Sequence, residues 1–495
     1  MHPAQHSTAK VPCARVDALV QSVTSANESP PPHKPPEAWG PLFRFARAVG
    51  RPLERFLHVE AASGGLLLLA AGVALTWANS PWAASYFAIW HTPLGVRIGD
   101  FRFERSLEWL VNDALMVIFF FVVGMEIRRE IHEGELSSLR RAALPVVAAL
   151  GGMLAPAALY LCFANTPPAR SGWGVPMATD IAFAVGVLTL LGSRVPAALR
   201  VLLLALAVID DLGAILVIAV FYSTHFVVSG LFIGCLGLAA IGVMQRIGVR
   251  RKLAYVVPGM LTWAGVYASG VHPTIAGVLV GVMTPVRAWF GPEGLVSQLR
   301  DLGMPLGSAT PGELSPPSLH DVLREIDVAR REATSPAESL IAMLHPWVAF
   351  GIMPLFALAN AGVSLEGLSL DAASKRVVLG VCVGLSLGKP LGIWLAVWSA
   401  VKLGLGTPPI GLQVGHWVVL GVVAGIGFTM ALFIAQLAFV DPADSSLLAA
   451  GKLGVLIASG VAALGALLLG RWLLTGSHAD GAARTVDEAE RSTAS

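Results

Sequence analysis

Two adjacent aspartates, Asp210 and Asp211, lie near the middle of an apolar run from Ala198 to Phe221. About a dozen mostly apolar residues precede the pair and about ten follow it, so in a bilayer both carboxylates would sit near mid-depth. A charge there costs at least about 2.5 kcal/mol. Two in a row are tolerated only if they pair, take up protons or bind a cation. Low dielectric and like charge both favour the neutral carboxyl, so the two should exchange protons as a coupled pair. Adjacent helical residues point about 100° apart. One aspartate can therefore face a cation while the other meets a basic partner.

Lys389 lies mid-segment in Gly388-Lys389-Pro390. It is too far from either end of its apolar run to snorkel, so it needs a carboxylate partner or must lose its proton. Asp210 is the first candidate for that partner, and a purely structural ion pair is the plain alternative. A third constellation is Pro176-Met-Ala-Thr179-Asp180. Proline and a polar pair at mid-depth predict an unwound helix, which survives in a membrane only where it is buried in protein or lines a cavity. Gly425-Ile-Gly427-Phe-Thr429 is a similar flexible, polar stretch in a later segment. Broken helices expose partial charges at their ends. Asp180 suits the positive N-terminal ends, and Lys389 the negative C-terminal ends. Thr179 offers a neutral oxygen beside two carboxylates, a donor set that suits sodium better than nitrogen or sulfur would.

The elements that must hold these residues are membrane helices. The chain has 495 residues, 55% hydrophobic and 13% charged, with mean hydropathy +0.69, against roughly 25% charged residues in soluble domains. That pattern predicts an all-α polytopic membrane protein. Apolar segments at about 58–80, 106–129, 142–163, 174–192, 198–222, 226–245, 253–270, 272–286, 344–363, 376–401, 414–437 and 449–474 give about twelve spans. The fourth and eleventh are the interrupted ones. Interrupted helices in corresponding halves point to inverted-topology repeats, segments 3–5 against 10–12. Basic loops alternate with loops poor in Lys and Arg, which places both termini in the cytoplasm. Residues 1–56 and 476–495 read as polar, disordered tails around a transporter domain at 57–475, and 287–343 as an enlarged cytoplasmic loop with helical spacing over Ser318–Arg331. The stretch 81–105 is a candidate small hairpin. The net charge of +2 gives no case for nucleic acid. Cys13, Cys162, Cys235 and Cys382 form no Cys-x-x-Cys pair and suggest neither disulfide nor metal site. No cofactor is implied.

Several motifs together resemble the NhaA-type sodium/proton antiporter family. They are Ala178-Thr179-Asp180-Ile-Ala-Phe183, Leu191-Gly-Ser-Arg-Val-Pro196, Ile209-Asp210-Asp211-Leu-Gly-Ala214, Gly388-Lys389-Pro390-Leu-Gly392 and Gly425-Ile-Gly-Phe-Thr-Met430. The resemblance runs from about residue 57 to 474. It implies that Asp210 and Asp211 form the cation and proton site, with Asp211 the primary ligand of Na+ or Li+. It further implies that Thr179 and Asp180 belong to the unwound crossing, that Lys389 pairs with the first aspartate, and that exchange is electrogenic. Glu126, Arg129 and Glu130 match an acidic cytoplasmic funnel, and a solvated helix end is the plain alternative. His345 and His272 are the histidines this comparison offers for a response to pH. Ile341 and Ala342 depart from the acidic residue and histidine that some members carry before Leu344-His345-Pro346-Trp347.

The resemblance implies a sodium or lithium extruder in a bacterial inner membrane, exchanging against protons, pH-regulated and homodimeric. Three other classes compete. An intramembrane aspartyl protease takes its two acids from separate helices, one in Gly-x-Gly-Asp, and that motif is missing here. A cation channel has no use for a titrating pair beside a lysine. A sodium symporter needs an organic-substrate pocket, for which no signature stands out.

Overall fold

A computed structural model describes residues 60–474, apart from Asp100, 224–225, Arg250, 289–333 except Arg324, 366–370 and 405–411. Both expected tails and nearly all of the enlarged loop, including the helix expected at Ser318–Arg331, lie outside the described residues.

The chain folds as a helical bundle. Its helices are α1 (Glu60–Ala78), α2 (Ala83–Trp90), α3 (Leu107–Glu133), α4 (Leu139–Phe163), α5 (Ile181–Leu190), α6 (Ala197–Phe221), α7 (Val228–Ile247), α8 (Val256–Ala268), α9 (Thr274–Met283), α10 (Pro336–Asn360), α11 (Ala372–Lys402), α12 (Val414–Ala424), α13 (Phe428–Ala438) and α14 (Ser445–Leu473). Each apolar segment seen in the sequence falls on one of these helices or on a bent pair. Seven helices are long and apolar enough to cross a membrane by themselves. A membrane leaves no other choice, because every backbone polar group must be satisfied within its own segment.

Two further crossings are made by bent pairs. A 3-10 helix, Ala169–Met177, meets α5 at 46°, and α12 meets α13 at the same angle. Pro176 lies in the 3-10 half, and Gly425 and Gly427 fill the second break. The first apolar segment is different: α2 leaves the axis of α1 at 117°, so it is a separate helix after a turn. Helix α9 is short, its ten residues rising roughly 15 Å, half the hydrocarbon thickness.

Between α2 and α3 the stretch read as a hairpin is one. Strand β1 (Pro93–Ile98) pairs antiparallel with β2 (Phe101–Ser106) in the register Pro93 opposite Ser106. The turn carries Gly99 at φ 61°, a left-handed conformation open to glycine.

Small residues set how closely the helices approach. A Cβ added at Gly151 would lie 2.3 Å from the Gly392 carbonyl oxygen, and one at Gly392 would lie 2.2 Å from that of Gly151. So α4 and α11 touch backbone to backbone, the mode of association favoured where lipid offers no hydrophobic drive. The contact lies one turn beyond Lys389 and fixes its height. A wide π-helical turn at Gly384–Gly388 directly precedes the lysine, the kind of local rewinding that recurs at functional sites.

Candidate functional site

The two breaks cross and hold each other. The backbone N–H of Asp180 donates to the Ile426 carbonyl at 2.8 Å. The crossing has no room for side chains at the glycines: a Cβ on Gly425 would lie 2.6 Å from the Leu385 carbonyl oxygen, and one on Gly427 would lie 3.0 Å from that of Ala178. Pro176 packs over the π-helical turn, where a Cβ on Gly384 would come within 2.8 Å of its ring.

The helix ends that meet here carry opposite partial charges. Asp180, fully buried, answers the positive ends. One carboxylate oxygen accepts the Phe183 N–H at 3.1 Å and caps α5. The other accepts the Thr429 N–H at 3.1 Å and also the Thr429 hydroxyl. Ser459 of α14 completes the cap of α13 by accepting the Phe428 N–H at 3.0 Å. Lys389, with no exposed surface, answers a negative end by donating to the Met177 carbonyl. The Thr179 hydroxyl lies 3.0 Å from the carbonyl of Ala424, the last residue of α12.

Asp210 joins this arrangement from α6. Its Oδ2 takes the Lys389 ammonium at 2.5 Å and lies 2.6 Å from the Thr179 hydroxyl. Its Oδ1 is buried and has no hydrogen-bond partner. Asp211, 1% exposed, makes no hydrogen bond among the described residues, and its Oδ1 is likewise buried and unsatisfied. The two aspartates thus divide as helical geometry requires, Asp210 facing lysine and threonine while Asp211 points elsewhere. The charges whose fields reach Asp211 are Asp210, Glu126, Asp180 and Lys389. Buried polar atoms are almost always hydrogen-bonded. Two orphaned carboxylate oxygens side by side form a place where a proton or an oxygen-seeking cation would be held.

The remaining residues singled out by the sequence lie around this centre. Glu126 of α3 is partly buried, in the field of His345 and Arg129 as well as of Asp211. Arg129 is exposed, and the Glu130 carboxyl folds back over the backbone of Gly134. His272 stands apart from the aspartates, its Nε2 3.4 Å from Asp113 Oδ1, its Nδ1 2.8 Å from the Thr274 hydroxyl and its ring against Phe433. Sequence reasoning missed Ser459, the Met177 and Ala424 carbonyls, and a polar group formed by Glu108, Asn112, Asn360 and Gln436. Polar side chains inside apolar runs were the available signal for that group. The carbonyls left none.

Residues 54–469 match the profile of the family described as Na+/H+ antiporter 1. The chain is 68% identical over 460 residues to a protein of Myxococcus xanthus named Na(+)/H(+) antiporter NhaA 2, covering 93% of this chain and 97% of that one. A protein of the same name from Sorangium cellulosum is 56% identical over 460 residues, covering 93% and 98%. One from Pseudomonas putida KT2440 is 52% identical over 431 residues, covering 87% and 94%. Among solved structures, the sodium proton antiporter MjNhaP1 from Methanocaldococcus jannaschii at pH 8 aligns with TM-score 0.47 and 12% identity, over 88% of this chain and 98% of that one.

Proposed function

The chain belongs to the Na+/H+ antiporter 1 family, and from that premise we propose that it extrudes sodium or lithium in exchange for protons, with both competing for Asp210 and Asp211. The observation that carries this reading is the pair of buried, unsatisfied oxygens, Asp210 Oδ1 and Asp211 Oδ1. Protons and a cation cannot occupy the same carboxylates together, so loading one releases the other, and that competition couples the two fluxes.

The cation reaches the pair from the side of Glu126, whose charge acts on Asp211. Lys389 holds Asp210 until the cation arrives. Thr179 supplies a neutral oxygen. Asp180 and Thr429 keep the crossing intact while the helices around it rock between two openings. More protons than cations move per cycle, so exchange carries charge, and its rate follows pH through the carboxylates. The protein spans a bacterial inner membrane about twelve times as two inverted repeats. Both termini lie in the cytoplasm, and two copies form a dimer.

The test is proton movement in everted membrane vesicles acidified by respiration and then given Na+, Li+ or K+ across a pH series. Cation-dependent loss of the gradient, absent in a correctly inserted Asp211→Asn protein, is the expected result. Exchange by that variant at unchanged cation affinity would overturn the reading. Sodium flux that proceeds without proton movement would instead identify a channel or symporter.

A further inference from the structure

A second polar cluster lies at the end of the bundle that carries the β-hairpin. Glu108 follows β2 by two residues, and Glu126 sits eighteen residues further along the same helix, roughly 27 Å away at the helical rise. Helix α3 therefore carries a carboxylate near each end, and the field of only the second reaches Asp211.

Around Glu108 the oxygens converge. The Asn360 amide donates to Asn112 Oδ1 at 2.7 Å, and Asn112 returns a longer contact of 3.4 Å to Asn360 Oδ1. Gln436, at the end of α13, bridges Asn360 Oδ1 and a Glu108 oxygen. Asn360 is fully buried. Three carboxamides and one carboxylate make an oxygen-rich set of the kind that suits a hard monovalent cation.

Lys452 supplies an independent observation. It lies on α14, is only 9% exposed, and among the described residues has no hydrogen bond and no carboxylate within ion-pair distance. The charge whose field reaches it is Glu108. A buried ammonium held at a distance from its carboxylate leaves that carboxylate open to another cation while lowering its hold on it. Lys389, by contrast, contacts Asp210 directly.

We propose that Glu108, with the side-chain oxygens of Asn112, Asn360 and Gln436, is a second cation station at the hairpin end, and that Lys452 keeps it weak so that the ion leaves. This rests on the exchange proposed above and adds a release site to it. The ligand class is a partly dehydrated sodium or lithium ion. The neighbouring charges are Asp113, which His272 engages, and Arg105, whose field acts on Asp113.

The test compares the apparent KM for Na+ at each face, using everted and right-side-out vesicles at one pH. Glu108→Gln should raise the KM at the hairpin face about three- to tenfold and leave the opposite face unchanged, with Glu108→Asp restoring most of it. Lys452→Met should lower the hairpin-face KM by a similar factor and slow turnover, with Lys452→Arg close to wild type. Size-exclusion profiles of the purified variants establish that they are folded. Equal shifts at both faces, or none, would overturn the station. Wild-type vesicles that show no cation-dependent proton movement would sink the exchange reading itself, which separates the two failures.

Discussion

Asp180 and Thr429 are joined twice, through the Thr429 backbone N–H at 3.1 Å and through its hydroxyl, so one carboxylate locks two interrupted helices at their crossing. The other oxygen of the same carboxylate caps α5 through Phe183. A single charge thus offsets two positive helix ends, which is cheaper in a low-dielectric interior than burying one charge for each.

Thr429→Val removes the hydroxyl bond but keeps the shape. Hydrogen bonds to charged groups contribute about 1.5–3 kcal/mol, so the thermal unfolding midpoint in detergent should fall clearly, and Thr429→Ser should recover most of the loss. An unchanged midpoint for the valine variant would mean that the crossing does not depend on this bond.

Lys389 and Asp210 form a pair in which neither side chain is exposed, their atoms 2.5 Å apart. Removing one member of such a pair costs about 3–5 kcal/mol because it strands the other, whereas removing both together costs far less. Lys389→Met should therefore destabilise the purified protein strongly, and the Lys389→Met/Asp210→Asn double variant should regain much of the lost midpoint. Additive losses in the double variant would show that the two residues do not compensate each other.

The membrane helices are legible in the sequence because hydropathy and length are local properties. The breaks are legible too, since Pro176, Gly425 and Gly427 cannot hold a regular helix or a close crossing otherwise. The partners of the site residues are not. Thr179 meets the carbonyl of Ala424, 245 positions away, and Lys389 meets that of Met177, 212 positions away. A backbone carbonyl carries no signature in residue type, so these contacts appear only once the helices are placed. Ser459 is similarly mute, being one small residue in a run of small residues. The length of α9 also escaped, because its apolar run continues past the helix that ends at Met283.

The close approach of Gly151 and Gly392 gives a prediction about position. A methyl group at either would fall within 2.3 Å of a carbonyl oxygen on the other helix. Relief requires α4 and α11 to separate, which carries Lys389 away from Asp210. Overpacking of this kind typically costs about 1–3 kcal/mol. Gly151→Ala and Gly392→Ala should each lower the unfolding midpoint and depress cation-dependent proton movement. Gly65→Ala and Gly259→Ala, where nothing lies within 4 Å of the added carbon, should do neither. Normal exchange by Gly392→Ala would rule out this contact as what sets the height of the lysine.

Asp371, before the first turn of α11, carries a pH dependence of its own. It accepts the Ser374 N–H at 2.8 Å, and bonds to the side chain and backbone of Ser374 hold its carboxyl below the usual range. The folded form binds its proton less readily than the unfolded one. The stabilisation is therefore complete above the ordinary carboxylate range and disappears as pH falls through it to the lower folded value. Asp371→Ala should lower the unfolding midpoint slightly at pH 7, the effect expected for losing a helix cap. The gap between variant and wild type should narrow as the pH is taken down through the carboxylate range. A gap that stays constant from pH 7 into that range would show that the cap owes nothing to the ionised form.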